Sequence, residues 1–262
     1  MKKVVSIMSV TVRSSIYKVL LILLGMSFLQ LGMFYRTYLK YDYSAQSLSE
    51  FNEVPGYEQL GQAFGVSWTL ESLVERSKVS IVFMAAFALI CLVLFWAEGE
   101  RKGTHTSYFY DRLTVSNRER IASLTLYNMT CILLLIFAEV LTVLGMGSIF
   151  AYLVPSEYES VQMYFMAFYK SKFLHCLFPM ADIYKWFRNI FLFAACALEI
   201  GTCACRNRKS WSLFLIIALT VFGFVQEIGT YGAMDIIMII VAGIYIAVNV
   251  SQIRYGGAED DI

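Results

Sequence analysis

From Val79 to Ala97 the chain runs for 19 residues without a charged side chain and ends in Phe95-Trp96. At about 1.5 Å per residue such a helix is about 28 Å long, close to the roughly 30 Å hydrocarbon core of a bilayer. It would have no polar face to offer water, so the run predicts a transmembrane helix with aromatics at its interface end. Five further apolar runs follow the same logic: 16–35, 121–154, 187–205, 211–230 and 236–253. The sequence therefore predicts an all-α polytopic membrane protein, with six transmembrane helices in one transmembrane domain over residues 1–262.

Composition narrows the function classes. Charged residues make up 16% of the chain, against about 25% in an ordinary soluble domain. The mean hydropathy is +0.62. A net charge of +1 argues against a nucleic-acid binder acting through bulk positive charge, so no nucleic-acid partner is expected. Cys91, Cys131, Cys196, Cys203 and Cys205 lie inside apolar runs, where Cys packs as a small apolar residue; only Cys176 lies in a more polar stretch. With His105 and His175 as the two histidines, no metal site is expected.

The first run has Lys2, Lys3 and Arg13 before it and Lys18 in its first turn, a basic start like that of a signal peptide, but it is too long and leaves through Phe34-Tyr35-Arg36. It reads as a retained span. The third run would reach about 51 Å if wholly helical, so it either ends near Gly145 or bends there and continues along the outer interface. Two long connections remain. Residues 36–78 are polar and Tyr-rich, with a turn signal at Pro55-Gly56. Residues 155–188 are dense in aromatics, which suits two short interfacial helices broken near Pro179, a partly re-entrant segment, or a solvated loop with some buried rings. With both termini cytoplasmic, 13 of the 21 Lys and Arg fall on the inner side, and the acidic 36–78 segment falls outside. The expected location is the cell membrane.

Intramembrane charge is the first place to look for chemistry, because a charge at the bilayer centre costs about 2.5–3.5 kcal/mol on insertion scales. Glu139, Glu199, Glu227 and Asp235 lie in or at the ends of the runs. Counting along each helix puts Glu139, Glu227 and Asp235 towards the outer interface, where they can snorkel, pair or cap a helix. Glu199 is the deeper one, with a coupling role or a satisfied interhelical hydrogen bond as its two readings. There is no His-Glu-x-x-His, Gly-x-Ser-x-Gly or Cys-x-x-Cys, and the Gly99–Thr104 stretch lacks the spacing and lysine of a phosphate-binding loop. No catalytic residue or cofactor is expected. Any energy must come from a partner or an ion gradient.

The loop between the second and third runs is the most specific stretch. It reads Glu98-Gly99-Glu100-Arg101-Lys102-Gly103-Thr104, then Leu113-Thr114-Val115-Ser116-Asn117-Arg118-Glu119-Arg120. Ser116 with Glu119 three residues on is a capping-box pattern that predicts a helix start. The loop resembles that of ABC-2 family ABC transporter permeases, in which an acidic residue, a Gly-Thr and a Leu-Pro-Val-Ser-Arg-like segment lead into the third span. Here Thr114 replaces the Pro, and Asn117 intervenes before Arg118. The resemblance covers about 23 residues of motif together with the expected topology. It implies a permease that pairs with a second permease subunit and docks a separate ATP-binding subunit through this loop, with ATP hydrolysis on that partner. Arg112, Ser116, Arg118, Glu119 and Arg120 are the expected coupling residues. Other readings of the chain are an ion- or proton-coupled small-molecule carrier using Glu199, or a non-transporting membrane assembly factor.

Overall fold

The computed structural model describes the backbone of residues 2–52, 69–99, 116–153, 162–180, 182–206, 211–225 and 232–255, and the side chains of most of them. Among the described residues all regular structure is helical: α1 (Lys2–Asn52), α2 (Leu70–Arg76), α3 (Val79–Gly99), α4 (Asn117–Leu153), α5 (Met163–Lys170), α6 (Lys172–Leu177), α7 (Ile183–Arg206), α8 (Trp211–Val225) and α9 (Gly232–Tyr255). Five of these, α1, α3, α4, α7 and α9, are long and apolar enough to cross a membrane. The described part of α8 is apolar but has 15 residues, about 22 Å.

Side-chain pairs fix the helix directions. Ser15 on α1 meets Tyr127 on α4, and Tyr38 meets the Leu153 carbonyl, so α1 and α4 run parallel. Arg188 on α7 meets Asp235 on α9, and Glu199 meets Asn249, so α7 and α9 also run parallel. The Asn128 side chain reaches the Ala197 carbonyl, and Gly201 sits against Thr125, which makes α4 antiparallel to α7. Ser212 near Glu199 and Gly223 near Arg188 make α8 antiparallel to α7. Val79 at the start of α3 accepts from Gln30 in the second half of α1, and Phe83 meets Phe173 of α6, so α3 runs back from that end; the five long helices and α8 thus alternate in direction. The short helices α2, α5 and α6 gather at one end, the cap end; α4 and α8 start at the opposite, base end.

Helix α7 is the hub, packed against α3, α4, α8 and α9. Its apolar window is 67% buried, whereas those of the other four long spans are 22–39% buried. Phe83 and Phe87 of α3, Phe173 of α6, Phe193 of α7 and Phe224 of α8 form one aromatic cluster, with ring centroids 5.2–6.2 Å apart. The outer surface is apolar as well. Tyr17, Leu21, Leu24 and Phe28 on one face of α1 are 60–74% exposed, and Ile236, Ile237, Ile240 and Ile244 of α9 are also exposed. A soluble monomer rarely shows apolar area on this scale. The chain is an all-α membrane-embedded protein.

Several boundaries differ from the sequence expectation. Helix α1 runs well past Tyr35 to Asn52, because no proline interrupts it before Pro55; the polar start of the 36–78 connection is therefore helical. Pro55-Gly56 lies outside the described residues. Helix α4 is continuous through Gly145, so the third run does not end there. Helix α7 begins at Ile183, one turn before Phe187, which brings Lys185 into the helix. In the aromatic connection α5 and α6 are separated at Ser171, whose ψ of 122° is extended; Pro179 instead separates α6 from α7. Its rings divide, with Phe168 and Phe173 buried and Phe165, Tyr184 and Trp186 exposed.

Candidate functional site

Three polar clusters sit inside the apolar bundle. Each has acidic groups that the helix directions above bring to a partner.

The first lies in the α1–α4 seam. Gln30 and Glu139 are both fully buried, and Gln30 Nε2 donates to Glu139 Oε2 at 2.9 Å and to the Val79 carbonyl at 3.3 Å. Nearby on the same two helices Thr142 Oγ1 donates to Ser27 Oγ at 2.9 Å. Two buried acceptors, Glu139 Oε1 and Gln30 Oε1, have no hydrogen-bond partner among the described residues. Glu139 therefore does not snorkel to an interface; it is enclosed.

The second lies near the base end, where α7, α8 and α9 meet. Glu199 is 5% exposed and accepts from Asn249 Nδ2 at 2.6 Å, from Ser212 Oγ, and from Cys203 Sγ at 3.4 Å. Thr202 Oγ1 donates to Asn249 Oδ1 at 3.1 Å, which orients the amide with its N–H towards the carboxyl. These side chains, with Tyr245, Val248 and Gln252, line a partly open cleft with about 450 Å³ of empty space. The Asn249, Ser212 and Cys203 donors converge on one carboxyl. A carboxyl lining an open cleft suits a small cationic group better than an anion.

The third lies at the cap end. Arg188 is fully buried, and its Nη1 donates to Asp235 Oδ1 at 2.7 Å. Its other guanidinium nitrogens donate to Asn189 Oδ1 at 3.0 and 3.2 Å and to the Cys176 carbonyl at 3.2 Å. Asn189 Nδ2 donates to the Cys176 and Leu177 carbonyls at 2.8 and 3.2 Å, satisfying groups at the end of α6. One turn earlier, Lys185 lies 3.0 Å from Asp182 Oδ2, and His175 Nε2 lies 3.4 Å from the same oxygen. The bond from Lys185 is the main cause holding the Asp182 carboxyl below its usual range; partial burial opposes it and His175 adds to it. Burial pushes the Cys176 thiol up despite the nearby Arg188 and Lys185 charges. The cap layer is tied down separately: Glu75 Oε1 of α2 accepts the Lys172 N–H at 2.8 Å, and Lys170 pairs with Glu71 at 3.6 Å.

Of the expected coupling residues, Ser116 stands at the N-cap of α4, where its Oγ accepts the Glu119 N–H at 3.3 Å and its carbonyl accepts the Arg120 N–H at 3.1 Å. Arg118 and Glu119 are exposed and Arg120 is half-buried, all at the base end. Arg112 and most of the loop motif lie outside the described residues, as does Glu227. Among the described residues no group of His, Cys, Asp and Glu could hold a metal ion. Sequence reasoning missed Gln30, hidden within an apolar run, and Arg188, counted with the outer connection. The available signal for Arg188 was a cation one residue inside the fourth run, with Asp235 one residue before the sixth. No family model, curated protein or solved structure matches the chain.

Proposed function

We propose that this chain is the permease subunit of an ATP-driven exporter, with six membrane spans and both termini in the cytoplasm of the cell membrane. It forms the translocation path with a second permease subunit and takes its energy from a separate ATP-binding subunit. The observation that carries the reading is the capped start of α4. There Ser116 fixes the first turn and presents Arg118 and Glu119 to solvent at the base end, next to the loop that resembles ABC-2 permeases. An exposed helix start with both charge signs favours register and specificity in docking. Arginines suit carboxylates on the ATPase because their planar fork makes two parallel hydrogen bonds. Alternating helix directions, with α1 beginning and α9 finishing at the base end, support the topology.

The test is purification in mild detergent with the partner ATPase, followed by transport-coupled hydrolysis in proteoliposomes. Arg112→Glu, Arg118→Glu and Arg120→Glu should each weaken partner binding without lowering expression. Retention of partner binding and activity by all three overturns the reading.

One observation favours a second reading. The Glu199 cleft joins a buried carboxyl to an amide, two hydroxyls and a cavity, as an ion- or proton-coupled carrier requires. Loss of ion-driven uptake in Glu199→Gln, with no ATPase recovered, selects that reading over the first.

A further inference from the structure

We propose that the α1–α4 seam is a proton-binding site, in which Glu139 is held as the neutral acid and its proton is the donor the cluster otherwise lacks.

Gln30 has two amide N–H groups, and both are used, one on Glu139 Oε2 and one on the Val79 carbonyl. The amide cannot be turned over, because its oxygen would then face two acceptors. With Glu139 ionised, Glu139 Oε1 and Gln30 Oε1 are two buried acceptors with no donor among the described residues. Buried polar atoms are almost always paired, so two orphans on adjacent side chains need a cause. Adding one proton to Oε1 turns one of the two acceptors into a donor, and the count closes at one donor and one acceptor.

The charge points the same way. Both side chains are fully buried within the candidate spans of α1 and α4. Helix α4 packs against α1, α3, α5, α7 and α9. Among the described residues, no ion pair or charged neighbour acts on Glu139; its hydrogen-bond partner is the Gln30 amide of α1, whose other N–H goes to the Val79 carbonyl of α3. Lys78, next to Val79 in sequence, is exposed. A bridging water would satisfy the two oxygens but leave the charge unbalanced in a low-dielectric seam, which is the costlier state. The Glu199 cleft differs, since both oxygens of that carboxyl already receive donors. The proposal does not depend on the export reading, and it stands whichever energy source the chain uses.

Infrared difference spectroscopy on the full chain in lipid nanodiscs tests it, using protein with 13C in the glutamate carboxyls. At neutral pH the spectrum should contain a carboxylic-acid stretch shifted by the label, and Glu139→Gln should abolish that band while leaving the thermal midpoint close to that of the parent. If Glu139→Gln does not fold, Glu139→Asp carries the same reading: the band must move from the glutamate label to an aspartate label. Absence of any protonated-glutamate band in the parent protein at neutral pH overturns the proposal. So does a band that survives Glu139→Gln. A band that appears only when sodium and potassium are removed identifies a cation site and overturns it too.

Discussion

Arg188 and Asp235 form a buried ion pair whose worth lies less in attraction than in the cost of breaking it. Both are nearly inaccessible, and the guanidinium also holds the end of α6. Removing one partner leaves an uncompensated buried charge, so Asp235→Ala should lower stability by about 3–5 kcal/mol. Replacing both, as in Arg188→Met with Asp235→Leu, should recover most of that loss. Denaturant titration in detergent compares the two, and equal destabilisation by the single and double variants would contradict this account. Just before α7, Asp182 offers a pH readout. Its carboxyl is held below its usual range, so its contribution is complete above the unfolded carboxylate value of about 3.9 and is lost as pH falls through the lower folded value. Asp182→Asn should flatten the acid-side fall of the thermal midpoint. It should also lower the midpoint at neutral pH, where buried Lys185 loses its neutralising carboxylate.

The contact between α4 and α7 depends on one small residue. A Cβ on Gly201 would stand 2.9 Å from Thr125 Oγ1, 3.4 Å from the Thr125 nitrogen and 3.5 Å from the Ile121 carbonyl. The two backbone atoms are at ordinary contact distance, so the conflict is with the Thr125 hydroxyl, and Gly201→Ala must turn that branched side chain or shift the helices. The expected loss is about 1–3 kcal/mol, the usual cost of overpacking. Gly243 has nothing within 4 Å of such a Cβ, so Gly243→Ala should be neutral or gain up to about 1 kcal/mol of helix propensity. Thermal melts of the two variants decide it; equal midpoints would show that α4 and α7 do not approach as described. Element by element, the sequence was most legible where apolarity alone sets length, as at Val79–Ala97, which matches α3 almost residue for residue. It was least legible where a helix outlasts its apolar stretch: the Tyr-rich residues after Tyr35 extend α1 because nothing there breaks it. The Ser116 cap was readable because its chemistry is local. The Gln30–Glu139 and Arg188–Asp235 pairs were not, since each spans distant parts of the chain and depends on which helices become neighbours.

At the scale of the whole molecule, the proposed topology puts the base end in the cytoplasm, because the basic residues of the 1–18, 98–120 and 206–210 segments would lie on that side, and it puts the cap layer of α2, α5 and α6 outside. Single cysteines on a background without native Cys test this with an impermeant reagent on intact cells. Labelling is expected at positions 57 and 172 and absent at 112 and 208; the reverse pattern inverts the molecule.

The central helix is also the least hydrophobic of the five long spans. The apolar window of α7 has a mean hydropathy of 1.2, against 1.8–2.8 for the others. It carries Arg188 into the bundle 47 residues before Asp235 exists to neutralise it. During synthesis α7 therefore emerges as a poor candidate for lipid, with its countercharge still inside the ribosome. Its charge is balanced within the bundle only once α9 is made. The helix that everything else packs around is thus the one whose place in the membrane depends most on a segment made later.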